Sequence, residues 1–386
     1  MVAQVSIDFD DLAQHFEQLD DPRSDVNLQH PFASVIAISL MAVLAGAGGP
    51  TAIAEWARHK AEWLVKFLPL PHGVPRKDVY RRVLSAINSQ AFQACFGNWL
   101  QDLCARAQAA TGTTQPLLAI DGKTLRRSHD RNNGLGALHS VSVWAADYGL
   151  TLAQVACDEK SNEITAIPEL LKLVHIEGAI ITIDAMGTQK KIARQIVEGG
   201  GDFVLALKGN QGTLHNEVIA YVNEQLDTDF SDCGARRHVT RETGHGRQET
   251  RMYVQLPVPE HLKGAKRWTG LKTIGVVMLM CLRDGKETSD VRYYISSLPL
   301  GVRRFARAVR GHWGIENSCH WSLDFTYRED ESRIRETRLR ENFAWLNRFT
   351  HSLLKQHSGR QSLVMKRRSC GWNENFLLEV LAGKQG

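Results

Sequence analysis

The chain has 386 residues, 43% of them hydrophobic, which is more than one ordinary domain and enough to bury at least one large core. Its seven cysteines are odd in number, irregularly spaced and without a CxxC pair, which excludes a secreted disulfide scaffold and points to reduced thiols in a cytoplasm. A formal charge of +5 suits a polyanionic partner without requiring one.

The opening MVAQVSIDFDDLAQHF is acidic and lacks the basic-then-apolar run of a signal peptide. The longest apolar stretch, PFASVIAISLMAVLAGAGG at 31–49, is near membrane-spanning length. Ser34, Ser39 and the stop made by Gly46, Gly48, Gly49 and Pro50 favour a buried core helix instead. No other segment resembles a span, so no membrane partner is expected. Helical patterns follow in TAIAEWARHKAEWLVKFL, RKDVYRRVLSAINSQ and FQACFGNWLQDLCARAQ, punctuated by GAGGP and LPLPHGVP. Residues 1–110 thus read as an N-terminal helical domain. Arg76, Lys77, Arg81 and Arg82 decorate one of its helices, as a DNA-reading helix or as a plain solvated one.

Past TGTTQ the pattern changes to apolar runs and turns. PLLAIDGKT reads as a strand, and HSVSVWAAD and TLAQVACDE as a hairpin about Asp147, Tyr148 and Gly149. Then come the amphipathic helix TAIPELLKLV with Pro168 in its first turn, the strand AIITIDA, the helix TQKKIARQIVEGG and the strand DFVLALKG. Three strands followed by alternating helices and strands predict an α/β core, a mixed sheet with flanking helices, over 116–226. Residues 227–300 read as a β-rich insertion, with turn signals at 244–246 and 283–285. Helical pattern returns over 301–386.

Two aspartates stand at equivalent places, Asp121 after LLAI and Asp184 after IITI. The carboxyl ends of strands are where α/β sheets bind ligands, so neighbouring strands would let the two carboxylates converge on a divalent cation. A turn aspartate at each place is the plainer alternative. A third acid would come from Glu316, Asp324, Glu329 or Asp330. His312, Glu316, His320 and Asp324 recur every four residues, one stripe on a helix, which also admits a zinc reading. No HExxH is present, and hard oxygen ligands favour magnesium or manganese. Two such ions suit in-line displacement at a phosphate. No GxxxxGK[ST] or GxGxxG motif supports nucleotide hydrolysis or dinucleotide redox chemistry. Lys123, Arg126 and Arg127 follow Asp121, Lys208 ends the last core strand, and His312 and Trp313 precede Glu316; these are the candidate DNA contacts. From residue 328 to 368 there are eleven Arg or Lys against five Asp or Glu, a basic stretch that suits a DNA backbone.

AIDGKTLRRS at 119–128, KSNEITAIPELL at 160–171, TIDAMGTQKKIA at 182–193, LALKGNQ at 205–211 and HWGIENSCHWSLDFTYRED at 312–330 together resemble the bacterial insertion-sequence DDE transposases of the H-repeat-associated subgroup. DPR at 21–23 and VPRKDVYRRV resemble the short domain that accompanies that group. The resemblance implies a ribonuclease-H-like core with Asp121, Asp184 and Glu316 as an acidic triad. It also implies two Mg2+ or Mn2+ ions, DNA as partner, a homodimer on DNA, and strand cleavage and transfer in transposition. A metal-dependent nuclease without strand transfer and an inactive DNA-binding descendant are the alternatives. Relatives often carry Y-x2-R-x3-E-x6-K about the glutamate; here those places hold Val309, His312 and Leu323, so the tyrosine and lysine roles do not carry over. Lys160 to Glu163 belong to the resemblance without a derived role.

Overall fold

An all-apolar helix needs apolar surroundings on every side, and helix α1 (Phe32–Leu44) has them, with eleven of its thirteen residues buried. Its two serines are satisfied locally: Ser39 Oγ donates to the Val35 carbonyl at 2.7 Å and Ser34 Oγ to that of Pro69 at 3.0 Å. No helix among the described residues is long and apolar enough to cross a membrane. The computed structural model describes residues 19–24, 28–157, 163–231, 233–244 and 246–382. The acidic opening and Lys160 lie outside them, as does the centre of the 244–246 turn.

Helices α2 (Pro50–His59), α3 (Ala61–Leu64), α4 (Lys77–Ala86) and α5 (Ser89–Thr111) follow. Pro50 opens α2, where its missing N–H costs nothing. The Asn88 side chain caps α5 by accepting from the amides of Gln90 and Ala91, and Gly112 ends it at φ 65°. The DPR motif forms a local chelate, Arg23 pairing with Asp21 at 2.7 Å and donating to the His30 carbonyl at 3.0 Å.

The strands are β1 (Leu117–Leu125), β2 (Leu138–Ala145), β3 (Leu150–Cys157), β4 (Ile180–Ile183), β5 (Asp202–Leu207), β6 (Arg236–Gly244), β7 (Arg247–Pro257), β8 (Thr273–Arg283) and β9 (Lys286–Ser296). Their order in the sheet is β3-β2-β1-β4-β5-β9-β8-β7-β6. The β2–β3 hairpin is antiparallel, β1, β4 and β5 are mutually parallel neighbours, and β9 to β6 are antiparallel. The first five strands give the ribonuclease-H-like order that the resemblance implied. The β-rich stretch extends that sheet past β5.

Helix α6 (Glu163–Lys172) precedes β4, α7 (Lys190–Glu198) precedes β5, and α8 (Gly212–Asp227) follows it. Pro168 lies inside α6, beyond the first turn that begins at Glu163, and not in that turn as the sequence pattern suggests. The helix starts earlier than expected, and its first residue, Glu163, is buried. Beyond β9 come α9 (Val302–Gly314), a π-helical turn (Ile315–His320), α10 (Trp321–Phe325), α11 (Thr337–Gln356), α12 (Leu363–Trp372) and α13 (Glu374–Ala382).

Two compact units result. One comprises residues 1–113, 122–162 and 316–386; the other comprises 114–121 and 163–315. The core of the first is α11, with sixteen of its twenty residues buried. In the second, α9 lies on the sheet with Phe305 so close to Gly275 that a Cβ there would meet its ring at 2.1 Å.

Candidate active site

The parallel register of β1 and β4 places Ile120 opposite Ile183, so Asp121 and Asp184 are the next positions along the two strands. Parallel neighbours lie roughly 4.8 Å apart and side chains alternate between faces. The two aspartates, both in the second unit, therefore share one edge and one face of the sheet. Each is only partly buried. Lys208 directly follows β5 at the same edge and is exposed.

The loop after Asp184 is held from several directions. Asp184 Oδ1 accepts from the amides of Met186 at 3.0 Å and Gly187 at 3.3 Å, an arrangement that an aspartate makes readily at a turn. Thr188 Oγ1 donates to the Ala206 carbonyl at 2.6 Å, Asn210 Nδ2 to that of Ala185 at 2.5 Å, and Gln211 Nε2 to that of Thr188 at 3.0 Å. The motif LKGNQ is thus a clamp on the motif DAMGT, a relation that spacing alone does not reveal. Gly187 is required by close approach, since a Cβ would fall 2.4 Å from Ile183 Cγ2 and 2.6 Å from Ile167 Cδ1.

His312 lies on α9 in this same unit, its Nδ1 3.0 Å from Thr182 Oγ1, two residues before Asp184. Burial pushes its pKa down to about 4, against the opposing pull of the Asp184 charge. It is therefore a neutral hydrogen-bonding ring at pH 7 and not a standing cation. Trp313 is partly buried, with the Arg292 guanidinium 4.5 Å above its ring.

Glu316 belongs to the first unit, where it is exposed in the π-helical turn. Three members of the expected stripe, Glu316, His320 and Asp324, line one pocket with Lys123 and Asp330 even though the π-helical turn lies among them. His320 is buried while Glu316 is exposed, and Asp324 is taken by Lys123 at 2.5 Å. Lys123, a candidate DNA contact by sequence, is itself buried, with Asp330 at 3.6 Å as its second acid. Arg126 and Arg127 are exposed, and Arg126 Nε pairs with Asp330 Oδ2 at 3.2 Å. Trp321, 58% exposed, stacks on the equally open Phe325 with centroids 4.8 Å apart.

The basic stretch 328–368 is in part interior. Arg348 pairs with Glu329 at full burial, Arg340 donates to the carbonyls of Ser128 and Gly136, Lys366 to those of Leu354 and His357, and Arg367 to those of Val43 and Thr326. Four of the eleven cations in that stretch are thus internal and do not form the DNA-facing surface that its composition predicts.

For a hard divalent cation, the second unit offers an oxygen-only pair at a partly open edge, which fits the ligand preference of magnesium or manganese. Among the described residues no group of three His, Cys, Asp or Glu forms a ready-made metal cluster.

Residues 112–353 match the model of the transposase DDE domain, and residues 13–100 match that of the DDE_Tnp_1-associated domain. The chain is 34% identical over 379 residues to the "H repeat-associated putative transposase YhhI" of Escherichia coli (strain K12), covering 96% of this chain and 98% of that one. It is 41% identical over 283 residues to a protein from the dhlA 3′ region of Xanthobacter autotrophicus, covering 73% of this chain and 92% of that one. A solved piggyBac transposase synaptic complex is alike at a TM-score of 0.42 and 11% identity, too slight to bear on the site. With more than half its length matched by the catalytic-domain model and a relative that spans nearly all of it, the chain belongs to the DDE transposases.

Proposed function

We propose that this transposase binds the ends of its insertion element as a homodimer, cuts the DNA and joins the freed 3′-hydroxyl to a target, with Asp121, Asp184 and Glu316 as its acidic set. The observation that carries the reading is the matched register of Asp121 and Asp184 at one edge of neighbouring parallel strands. Glu316 enters through the motif HWGIENSCHW and through its exposure. Asp324, the other acid nearby, already balances Lys123.

The three carboxylates would hold two Mg2+ or Mn2+ ions, which when bound supply charge stabilisation for the attacking and leaving oxygens of an in-line displacement. The chain's own groups do the rest. Amides of Met186 and Gly187 fix one oxygen of Asp184, which leaves the other for a ligand. Lys208, Arg126 and Arg127 offer exposed charge to phosphate. The seven cysteines are all free thiols, as a reducing cytoplasm would keep them.

The test is cleavage of DNA carrying the element's ends, with Mg2+, by the wild type and by Asp121→Asn, Asp184→Asn and Glu316→Gln. Loss of cleavage with retained binding is the expected result, and full activity in any variant removes that residue from the set. Pre-cleaved ends supplied with target DNA should yield joined products. Nicks without joining would make the protein a nuclease, and binding without nicks a DNA-binding descendant.

A further inference from the structure

Strand β9 pairs with β5 only from Tyr293, opposite Leu207, to Ser296. Residues 286–292 therefore run past the carboxyl end of β5. With β8, β7 and β6 they form an arm reaching about 24 Å beyond it, at roughly 3.4 Å per residue. This is the edge at which Asp121, Asp184 and Lys208 stand. Paired residues share a sheet face, so the face of Asp184 can be followed by alternation through Thr182, Val204, Ser296 and Tyr294 to Lys286. Asp121 joins the same face through the pairing of Ala119 with Thr182.

At the tip, Gly244, Arg247, Arg283 and Lys286 form one row across the four strands. Three exposed cations thus stand directly opposite one another, an arrangement that repels and destabilises a sheet. Arg247 has Glu249 at 2.6 Å and Arg283 has Asp284 at 3.5 Å, while Lys286 has no ion pair among the described residues. Over the arm itself, residues 238–253 and 277–292, there are six Arg or Lys against five Asp or Glu, so what marks the tip is the alignment of its three cations and not the arm's net charge.

We infer that this row grips the phosphate backbone of DNA lying across the aspartates' edge, about seven base pairs out at the 3.4 Å rise of a strand. The inference rests on the proposal that the partner is DNA. A polyanion resolves the repulsion at the tip, and the shared face puts the grip on the side from which DNA would approach the carboxylates.

The experiment measures affinity for a mixed-sequence DNA duplex against salt for three proteins: the wild type, the triple variant R247Q/R283Q/K286Q, and a control triple R58Q/K66Q/K172Q of equal charge change. The tip variant should show a slope of log K against log salt shallower by about 2.7, at about 0.9 for each phosphate that is no longer neutralised. Its thermal midpoint should not fall, since the tip is exposed and its repulsion is relieved. The control should keep the wild-type slope. Duplex binding by the tip variant with the wild-type slope overturns the inference and leaves the transposase reading standing, as does an equal change in the control. Failure of the wild type to bind any duplex defeats the underlying reading instead. The single variant R283Q, expected to be shallower by about 0.9, provides an independent check.

Discussion

Two stretches of this chain are rich in arginine and lysine, and they use that charge in opposite ways. In the C-terminal stretch, Arg340, Arg348, Lys366 and Arg367 are buried, each donating to main-chain carbonyls, and Arg348 also to a buried carboxylate. In the β arm, Arg247, Arg283 and Lys286 are exposed and aligned in one row. A buried cation must be paired or hydrogen-bonded to offset its desolvation, so the first group serves the fold. Exposed like charges side by side cost stability, so the second group serves something outside it. Net charge by segment does not separate the two cases; burial does.

The largest expected effect lies on the buried side of this contrast. Arg348→Met strands the Glu329 carboxylate at zero exposure and should cost about 3–5 kcal/mol in denaturant unfolding. The double variant R348M/E329Q should recover much of that loss, because it removes both charges. A single variant with wild-type stability would mean that the pair is not the anchor of α11.

The same unit should be acid-sensitive. Burial pushes His351 and His320 down to about 3, so each is neutral in the folded state and takes a proton on unfolding below its ordinary value of 6.5. The unfolded chain then binds more protons, and stability is lost as pH falls from about 6.5 toward 3. The slope is roughly 1.4 kcal/mol per pH unit for each proton excluded. Unfolding free energies measured from pH 7 to 5 should show this slope, and His351→Gln should flatten it; a flat wild-type profile would refute the assignment.

The legible part of the molecule is what period and turn chemistry control. The β2–β3 hairpin, the strands that end at Asp121 and Asp184, and the buried helix α1 all follow from local pattern. Residues joined only in three dimensions are not legible. Neither the engagement of Lys123 by Asp324 nor the hold of Asn210 on the Ala185 carbonyl has a fixed sequence offset. The start of α6 before Pro168 escapes a reading in which proline marks a first turn. The stripe from Glu316 through His320 to Asp324 does line one pocket, but nothing in IENSCH announces the π-helical turn within it. The basic residues of the arm are visible in the sequence, but only strand register shows that they face one another.

The arm depends on its seat beneath α9, and Gly275 is the point of closest approach. A methyl group there would overlap the Phe305 ring, so Gly275→Ala should destabilise by about 1–3 kcal/mol, as overpacking in a tight core does. Pairing it with Phe305→Leu should relieve part of the cost. Urea unfolding of the two variants tests this, and additivity of the two changes would mean that the ring and the glycine do not touch.

The smallest effect is expected at the ion pairs on the outer side of that seat. Glu242 on β6 meets Arg251 on β7 at 3.0 Å and Arg310 on α9 at 2.7 Å. Glu242 and Arg310 are both close to half exposed, so solvent screens their attraction and Glu242→Gln should cost less than about 1 kcal/mol. That cost should shrink further as salt is added, since screening weakens the pair in the wild type and leaves the substitution less to remove. The contrast with Arg348 then becomes quantitative: the same kind of interaction, arginine to glutamate near 3 Å, differs several-fold in worth by burial alone. A Glu242→Gln loss as large as that of Arg348→Met would show that the arm is held to α9 by charge and not by the Phe305 packing, and the unfolding midpoint in high salt would then drop for the wild type as well.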